Sequence, residues 1–329
     1  MTTNTPERTQ AINSSSARLI LEQKNLQLSY DNQCLHINGK DFKLKSIPLK
    51  HLQQIICMHG VELTSQLLGQ LSRRSIDFIV INQRYSQNSI ALYGSELIKS
   101  QRRCIQYQWQ QSQSQRLPIA KAICAHKLRI SLRVLKNKHN TKNQIQQTTQ
   151  ANINGSLHSL MLFNGDEDQL RGLEGSAQRQ LFAYWRSVLP PSLEFTKRQR
   201  RPPPDPVNSV LSLTFTLVYQ QAIRQCKLRG LDSELGFYHR PLDGRHSLAC
   251  DLMEPLRPKI EEWVIGIFQQ GVLDKRHFTK TTLGCLLGKK GKEIYYAHLA
   301  EKEREWQRTL DAYSRWLMRL IDLDRRNAN

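Results

Sequence analysis

The segment SIALYGSELIKS, residues 89–100, marks the position at which the pattern of the chain changes. Before it, from Arg18 to about Gly94, short strand-like runs are separated by turn signals such as Asn38-Gly39, a spacing typical of a small antiparallel β domain. After it, from about Leu97, apolar residues recur at helical spacing over long segments. The sequence therefore predicts an α+β protein in which a small N-terminal β domain precedes a larger all-α C-terminal domain.

The same pattern gives the domain boundaries. Residues 1–17 are predicted to be a disordered N-terminus, residues 18–95 a β-rich domain and residues 96–329 a helical domain. Within the β-rich domain, leucines at helical spacing over Leu63–Arg73 predict one helix that covers the sheet. The helices predicted in the second domain are Ile119–Lys136, Leu170–Ser187, Asn208–Leu228, Ser247–Gln270 and Ile294–Leu323.

Two polar segments interrupt the predicted helical domain. The first is the Gln/Asn-rich stretch Asn137–Asn154, and the second is KRQRRPPPDP, Lys197–Pro206, whose prolines cannot continue a helix. Both are predicted to be loops.

Positive charge is the strongest signal in the composition. Lys and Arg outnumber Asp and Glu by 48 to 28, a formal net charge of +20, and such a chain favours polyanions, nucleic acid first. No acidic residue occurs between Leu97 and Gly165, although Lys and Arg accumulate there. Further basic clusters are Lys197–Arg201 and Lys289–Lys292. A solvated helix face explains one basic helix equally well, but it does not explain so long a stretch without acids.

No apolar run approaches the roughly 18 to 20 residues of a membrane span, and residues 1–17 have no signal-peptide pattern. The sequence therefore predicts a soluble, cytoplasmic protein that does not contact a membrane.

Three motifs carry the acids and the histidine of interest. Glu174 in RGLEGSAQRQLFAYW is predicted to open a helix, and His239 stands in GFYHR before a probable turn. Asp251 and Glu254 in LACDLMEPLRP are three residues apart, so both carboxylates share one face of a helix. Taken singly, each has an ordinary explanation: a carboxylate at a helix start, an incidental histidine, or Glu254 paired with Arg257.

Phosphodiester chemistry would explain why these residue types occur together. A hard divalent cation takes oxygen ligands from one or two carboxylates and neutralises charge on a phosphate. A histidine in the set favours Mn²⁺ over a pure preference for Mg²⁺. The sequence has no Walker A loop, HExxH, GxSxG elbow or paired CxxC zinc motif that would point to other chemistry.

At these motifs the sequence resembles the CRISPR-associated spacer-acquisition integrases, the Cas1 family, over nearly the whole chain. RGLEGSAQRQLFAYW is similar to the family's LxGxEGxAxRxYF, although Leu181 and Phe182 occupy the neighbourhood of its tyrosine. The helix led by Asn208 follows an arginine- and proline-rich segment, as in the family. GLDSELGFYHR and SLACDLMEPLRP, within Gly230–Pro258, resemble the family's GLDPxxGFLH and SLAxDLxExxRP, and this block carries the resemblance furthest.

The resemblance implies a metal-binding catalytic helical domain and a β-rich domain of the dimerisation type. It implies that Glu174, His239 and Glu254 ligate Mg²⁺ or Mn²⁺, with Asp251 adjacent in the catalytic cluster. It also implies a homodimer, a small second CRISPR adaptation subunit and double-stranded DNA, both spacer precursor and CRISPR repeat, as partners. Residues expected to hold the DNA backbone are Arg200, Arg201, Lys289 and Lys290.

The expected reaction is attack of a DNA 3′-hydroxyl on a phosphodiester at the boundary of a CRISPR repeat. Two alternatives stay open at the level of sequence. One is a metal-dependent nuclease that acts on branched or single-stranded nucleic acid without integration. The other is a non-catalytic nucleic-acid-binding scaffold in which the acids are structural.

Overall fold

The structure, a computed structural model, describes residues 17–39, 42–82, 88–94, 100–137, 144–282 and 284–327. The chain divides into two compact units, residues 1–98 and 99–329. The domain boundary predicted between residues 95 and 96 lies outside the described residues. Residues 1–16 of the predicted disordered N-terminus also lie outside them. Ala17, predicted to belong to that terminus, is instead the first residue of a strand.

Eight strands and one helix make up the described part of the first unit. The strands are β1 (Ala17–Leu21), β2 (Leu26–Asp31), β3 (Cys34–Gly39), β4 (Phe42–Pro48), β5 (Leu52–Cys57), β6 (Val61–Leu63), β7 (Asp77–Val80) and β8 (Ile90–Leu92). They form two four-stranded sheets, ordered β1-β5-β7-β8 and β4-β3-β2-β6. Helix α1 (Ser65–Arg73) confirms the helix predicted over Leu63–Arg73; Thr64 caps it, and Leu67 and Leu71 are fully buried in the core.

The sheets are mixed, so the prediction of an antiparallel β domain is wrong. β5 pairs in parallel with β1 and β7, and β2 pairs in parallel with β6. The connections explain the parallel pairs. Helix α1 lies in the segment that crosses over from β5 to β7, and a parallel pair requires such a crossover. Continuous burial of Ile55, Ile56 and Cys57 is also characteristic of a strand inside a parallel arrangement.

The second unit is mostly helical. Its helices are α2 (Ser100–Gln111), α3 (Gln113–Asn137), α4 (Gln144–Met161), α5 (Glu167–Val188), α6 (Pro206–Leu228), α7 (Ser247–Met253), α8 (Arg257–Gln269) and α9 (Lys289–Asn327). A 3₁₀ turn, Glu254–Leu256, joins α7 to α8. Strands β9 (Phe278–Thr281) and β10 (Gly284–Leu287) form an antiparallel hairpin within this unit.

One of the two predicted loops in this unit is a helix. The loop predicted over Asn137–Asn154 is wrong for residues 144–154, because α4 begins at Gln144; residues 138–143 lie outside the described part of the chain. The segment Lys197–Asp205 is irregular, as predicted, and α6 begins at Pro206. In the described part of the chain, no helix is both long and apolar enough to cross a membrane.

Candidate active site

Glu174 lies inside α5, not at its start. Asp166 caps the helix, because its carboxylate accepts hydrogen bonds from the backbone N–H groups of Asp168 and Gln169, at 2.9 Å each, and Gln169 completes a capping box. The prediction that Glu174 opens a helix is therefore wrong. Glu174 lies in the third turn of α5, and the helix dipole does not explain its charge there, since that effect is confined to the first turn.

Lys127 of α3 joins the two carboxylates that the sequence predicted as metal ligands. Its ammonium group donates to Oε1 of Glu174 and, at 2.6 Å, to Oε2 of Glu254. The Lys127 residue is 4% exposed, so these ion pairs are shielded from water. Burial opposes the charged form of Lys127, but Glu254 and Glu174 hold its pKa above the ordinary value.

Asp251 anchors the loop that carries His239. Its Oδ2 accepts hydrogen bonds from the backbone N–H groups of Phe237, at 2.5 Å, and Tyr238, at 3.0 Å. Its Oδ1 accepts the backbone N–H of His239, at 2.9 Å, and lies 2.7 Å from Nδ1 of the same residue. Asp251 therefore fixes both the loop and the imidazole ring, and Nε2 of His239 is turned toward Glu254, 3.7 Å from its Oε1.

Glu254 is paired with cationic side chains on two sides. Arg257 places its Nε 2.6 Å from Oε1, so the local pairing considered from the sequence does form. Burial alone would raise the pKa of Glu254, but Arg257, Lys127 and His239 together hold it below the ordinary value. Glu254 is therefore a carboxylate, not a carboxylic acid, at neutral pH.

The structure brings Glu174, His239, Asp251 and Glu254 into one cluster, although α5, a loop, α7 and the α7–α8 junction supply them. Sequence analysis missed Lys127 and Tyr238 as members. The hydroxyl of Tyr238 donates to Oε2 of Glu174 at 3.1 Å.

A signal for Lys127 was present in the sequence. Lys127 lies at helical spacing from Ile123, Ile130 and Val134, all buried, so it stands on the apolar stripe of its helix. A lysine in such a position needs a buried anionic partner.

The donor set suits a hard divalent cation. Two carboxylate oxygens converge on one point, the position of the Lys127 ammonium, and the Asp251 contact at Nδ1 leaves Nε2 of His239 as the nitrogen facing Glu254. Two oxygens and one imidazole nitrogen match the ligands of Mg²⁺ and Mn²⁺. As the side chains stand, no group of three or more His, Cys, Asp or Glu among the described residues is arranged to hold a metal ion.

The cluster opens into a cleft of about 680 Å³ with a strongly basic lining. Glu261 also lines it; the carboxylate is 2% exposed, accepts hydrogen bonds from Gln178, and has a pKa raised by burial. The basic residues that line the cleft are Lys127, Arg179, Arg186, Lys197, Arg198, Arg200 and Arg257.

The basic strap, residues 197–205, is held in place from two sides. Asn208 of α6 is fully buried; its amide donates to the carbonyl of Lys197 and its carbonyl accepts from Gln199 N–H, at 2.9 and 2.8 Å. On the other side, Cys285 N–H of β10 donates to the Pro203 carbonyl at 2.7 Å. The Asn208 that leads α6 is thus a support for the strap.

The four predicted DNA-binding residues occupy different places. Arg200 lines the cleft, whereas Arg201, Lys289 and Lys290 are not among the described residues that line it. Lys289 and Lys290 are exposed in the first turn of α9, and Arg201 is exposed on the strap.

Fold and site together define a class of protein: its helical unit presents a buried carboxylate–histidine cluster to a basic cleft, an arrangement suited to chemistry on a polyanion's phosphate groups. The family model described as CRISPR associated protein Cas1 matches residues 19–301. The chain belongs to this family. A curated relative, CRISPR-associated endonuclease Cas1 1 of Thermodesulfovibrio yellowstonii, is 29% identical over 301 residues, 89% of this chain and 92% of the relative.

Solved structures confirm the fold class. A Cas1 protein from Thermotoga maritima matches 93% of this chain and 97% of its own, with a TM-score of 0.80 at 19% identity. A casposase bound to integration product matches 92% and 90%, with a TM-score of 0.79 at 19% identity. A Cas6-RT-Cas1–Cas2 complex matches 97% of this chain and 36% of its own, with a TM-score of 0.81 at 23% identity.

Proposed function

We propose that this protein is a divalent-metal-dependent DNA endonuclease and integrase that inserts new spacers into a CRISPR array. The observation that carries the proposal is the cluster of Glu174, His239 and the buried Glu254 at the wall of a basic cleft. The reaction is transesterification: a DNA 3′-hydroxyl attacks a repeat phosphodiester, one P–O bond forms as another breaks, and the leaving strand takes the proton.

Glu174, His239 and Glu254 would hold Mg²⁺ or Mn²⁺. Bound there, the ion supplies charge neutralisation at the scissile phosphate and lowers the pKa of an attacking hydroxyl. Asp251 acts as a positioning residue, because its oxygens are already engaged by the loop N–H groups and by Nδ1 of His239. Arg257 keeps Glu254 ionised, which a metal ligand requires.

The DNA backbone would lie in the basic cleft. Arg200 supports this placement directly, since it lines the cleft with the cluster. Lys289, Lys290 and Arg201 belong, in this proposal, to a more distant part of a phosphate-tracking surface, because each is exposed and cationic. Such contacts position DNA and read little sequence.

The names of similar proteins support the reaction and the partners. The T. yellowstonii relative is named an endonuclease, the casposase was solved with an integration product, and another similar chain was solved in a complex with Cas2. We extend these properties to this protein: integration activity, double-stranded DNA as substrate, a small second CRISPR subunit as partner and a homodimer as the active form.

The test is a strand-transfer assay. The purified protein, with and without its small partner, is incubated with a 3′-OH duplex and a repeat-bearing plasmid in Mn²⁺, Mg²⁺ or EDTA. We expect metal-dependent joining, and we expect Glu254→Gln, which keeps side-chain size, to lower it by at least about 100-fold, since loss of a supporting partner of a ligand alone costs 10–100-fold. Glu305→Gln, at an exposed ion pair with Lys259, is the control and should join normally.

Each result decides between the candidate functions. Cleavage without joining would identify the nuclease alternative. DNA binding without either reaction, under every metal condition, would identify the non-catalytic scaffold. Normal joining by folded Glu254→Gln would remove the proposed site.

A further inference from the structure

We infer that Lys127 is a built-in counter-ion of the Glu174–Glu254 pair and that a divalent cation binds only by displacing its ammonium group. The inference rests on the proposed function in one respect, namely that these carboxylates hold a metal. It goes further by assigning competition for the metal position to a residue of the protein itself.

The geometry makes the two cations mutually exclusive. Nζ of Lys127 lies within hydrogen-bond distance of Glu174 Oε1 and of Glu254 Oε2 at once. A Mg²⁺ ion that took both oxygens as ligands would need about 2.0–2.1 Å to each, so it would compete with Nζ for the same two oxygens. An ammonium nitrogen has no free electron pair and cannot serve as a ligand, so it must leave.

The charges explain why a lysine is kept in this position. Glu174 and Glu254 bring two negative charges into a region shielded from water, and close buried carboxylates repel each other unless one is protonated or a cation lies between them. Arg257 pairs directly with Glu254, and Lys127 is the cation that contacts both carboxylates. Lys127 supplies a second positive charge and donates to one oxygen of each carboxylate.

The cleft offers the displaced Lys127 side chain a second anionic partner, Glu261. Lys127 lines the same cleft as the buried Glu261 carboxylate. Burial raises the pKa of Glu261, and the positive charge of Lys127 partly opposes that rise. The flexible stem of lysine permits a swing within the cleft. The released ammonium then faces the space proposed for DNA phosphates, so metal loading would add one cation to that surface.

The experiment compares Mn²⁺ affinity in Lys127→Met and the wild-type protein, without DNA, by calorimetric titration and Mn²⁺ electron paramagnetic resonance. We expect Lys127→Met to bind Mn²⁺ more tightly, by on the order of tenfold. In EDTA it should melt at a lower temperature than the wild-type protein, and Mn²⁺ should abolish this difference in melting temperature. Lys121→Met is the matched control on the same helix, since Lys121 contacts only backbone carbonyls in the described structure, and its Mn²⁺ affinity should be unchanged.

A second variant covers a failure of Lys127→Met to fold. Lys127→Arg keeps the charge with a group that cannot be deprotonated, and it should bind Mn²⁺ no more tightly than the wild-type protein. Weaker or unchanged Mn²⁺ affinity in folded Lys127→Met, with normal binding by the wild-type protein, would overturn this inference alone. Absence of Mn²⁺ binding in both proteins would overturn the proposed metal site as well.

Discussion

Gly236 shows how closely the His239 loop packs against α7. A Cβ atom at this position would lie 2.5 Å from the His239 carbonyl oxygen and 3.0 Å from Oδ2 of Asp251. Both neighbours are fixed, the first as backbone and the second by its hydrogen bonds to the loop. Only glycine fits without moving the residue that is proposed to bind metal.

We therefore predict that Gly236→Ala lowers the free energy of unfolding by about 1–3 kcal/mol, the usual effect of overpacking, and weakens Mn²⁺ binding. Urea unfolding and Mn²⁺ titration measure the two effects. Gly266→Ala in α8, where a Cβ meets no atom within 4 Å, is the control and should be neutral or slightly stabilising. Equal stability of the two variants would show that the loop gives way easily.

Glu261 makes a prediction about pH. Burial raises the pKa of Glu261 above its ordinary value of 4.5 in the folded protein. Its contribution to stability is thus greatest below pH 4.5 and is lost as pH rises through the folded pKa. Glu261→Gln removes this loss, so its melting temperature relative to the wild-type protein should increase as pH rises from 4 to 8.

The control for pH has the opposite sign. Lys259 lowers the pKa of Glu305, so the contribution of Glu305 is present above pH 4.5 and is lost as pH falls. The penalty of Glu305→Gln should therefore shrink toward low pH. If both variants drift in the same direction, the assignment of Glu261 as a destabilised buried carboxylate is wrong.

Individual site residues were predictable to different degrees. Glu174, His239, Asp251 and Glu254 stand in sequence motifs, whereas Lys127 meets its partners across separations of 47 and 127 residues. No local pattern carries a contact of that kind. The apolar stripe of the helix predicts that Lys127 is buried. Only the fold shows that its partners are Glu174 and Glu254.

Helix α5 organises one wall of the cleft. Beyond Glu174, Gly175 and the side chains of Arg179 and Arg186 line the cleft at helical spacing. The two arginines are exposed, and neither has a role in the cluster itself. This element therefore carries both a proposed metal ligand and a row of charge beside it.

If that row holds DNA, Arg179→Ala and Arg186→Ala should each weaken duplex binding and reduce the slope of log affinity against log salt by about 1. Metal affinity should be unchanged, because the row makes no contact with the cluster. Arg315→Ala, on α9 and paired with Asp311, serves as the control. A salt dependence identical to that of the wild-type protein would exclude these arginines from the phosphate contacts.

Most elements with apolar periodicity were predicted well, although the single helix predicted over Ser247–Gln270 is divided into α7, a 3₁₀ turn and α8. Elements without such periodicity were not predicted. The predicted helices over Leu170–Ser187 and Asn208–Leu228 differ from α5 and α6 by only a few residues at their starts and by one or none at their ends. Helix α4 escaped because two of its buried positions are Gln146 and Thr149, which disguises the apolar stripe. Parallel pairing in the first unit likewise depends on connections, which strand-like runs do not specify.

At the scale of the whole molecule, the chemistry is confined to one unit. Every member of the cluster, and every described residue lining its cleft, falls within residues 99–329. Composition predicted a polyanion partner from the net charge of +20. It did not distinguish charges that line the cleft, such as Arg200, from those that tie helices together, such as Arg102 with Asp322.

The basic strap is attached at two separate places, to Asn208 of α6 and to Cys285 of β10. Its contact with β10 lies at a hairpin that supplies none of the proposed metal ligands, and Gly284 permits the close approach, since a Cβ there would lie 2.7 Å from the Pro203 carbonyl oxygen. Drift in the hairpin would therefore shift Arg200 while Glu174, His239 and Glu254 kept their places. Substitutions in the hairpin can therefore alter the proposed DNA-binding surface and leave the proposed metal ligands in place.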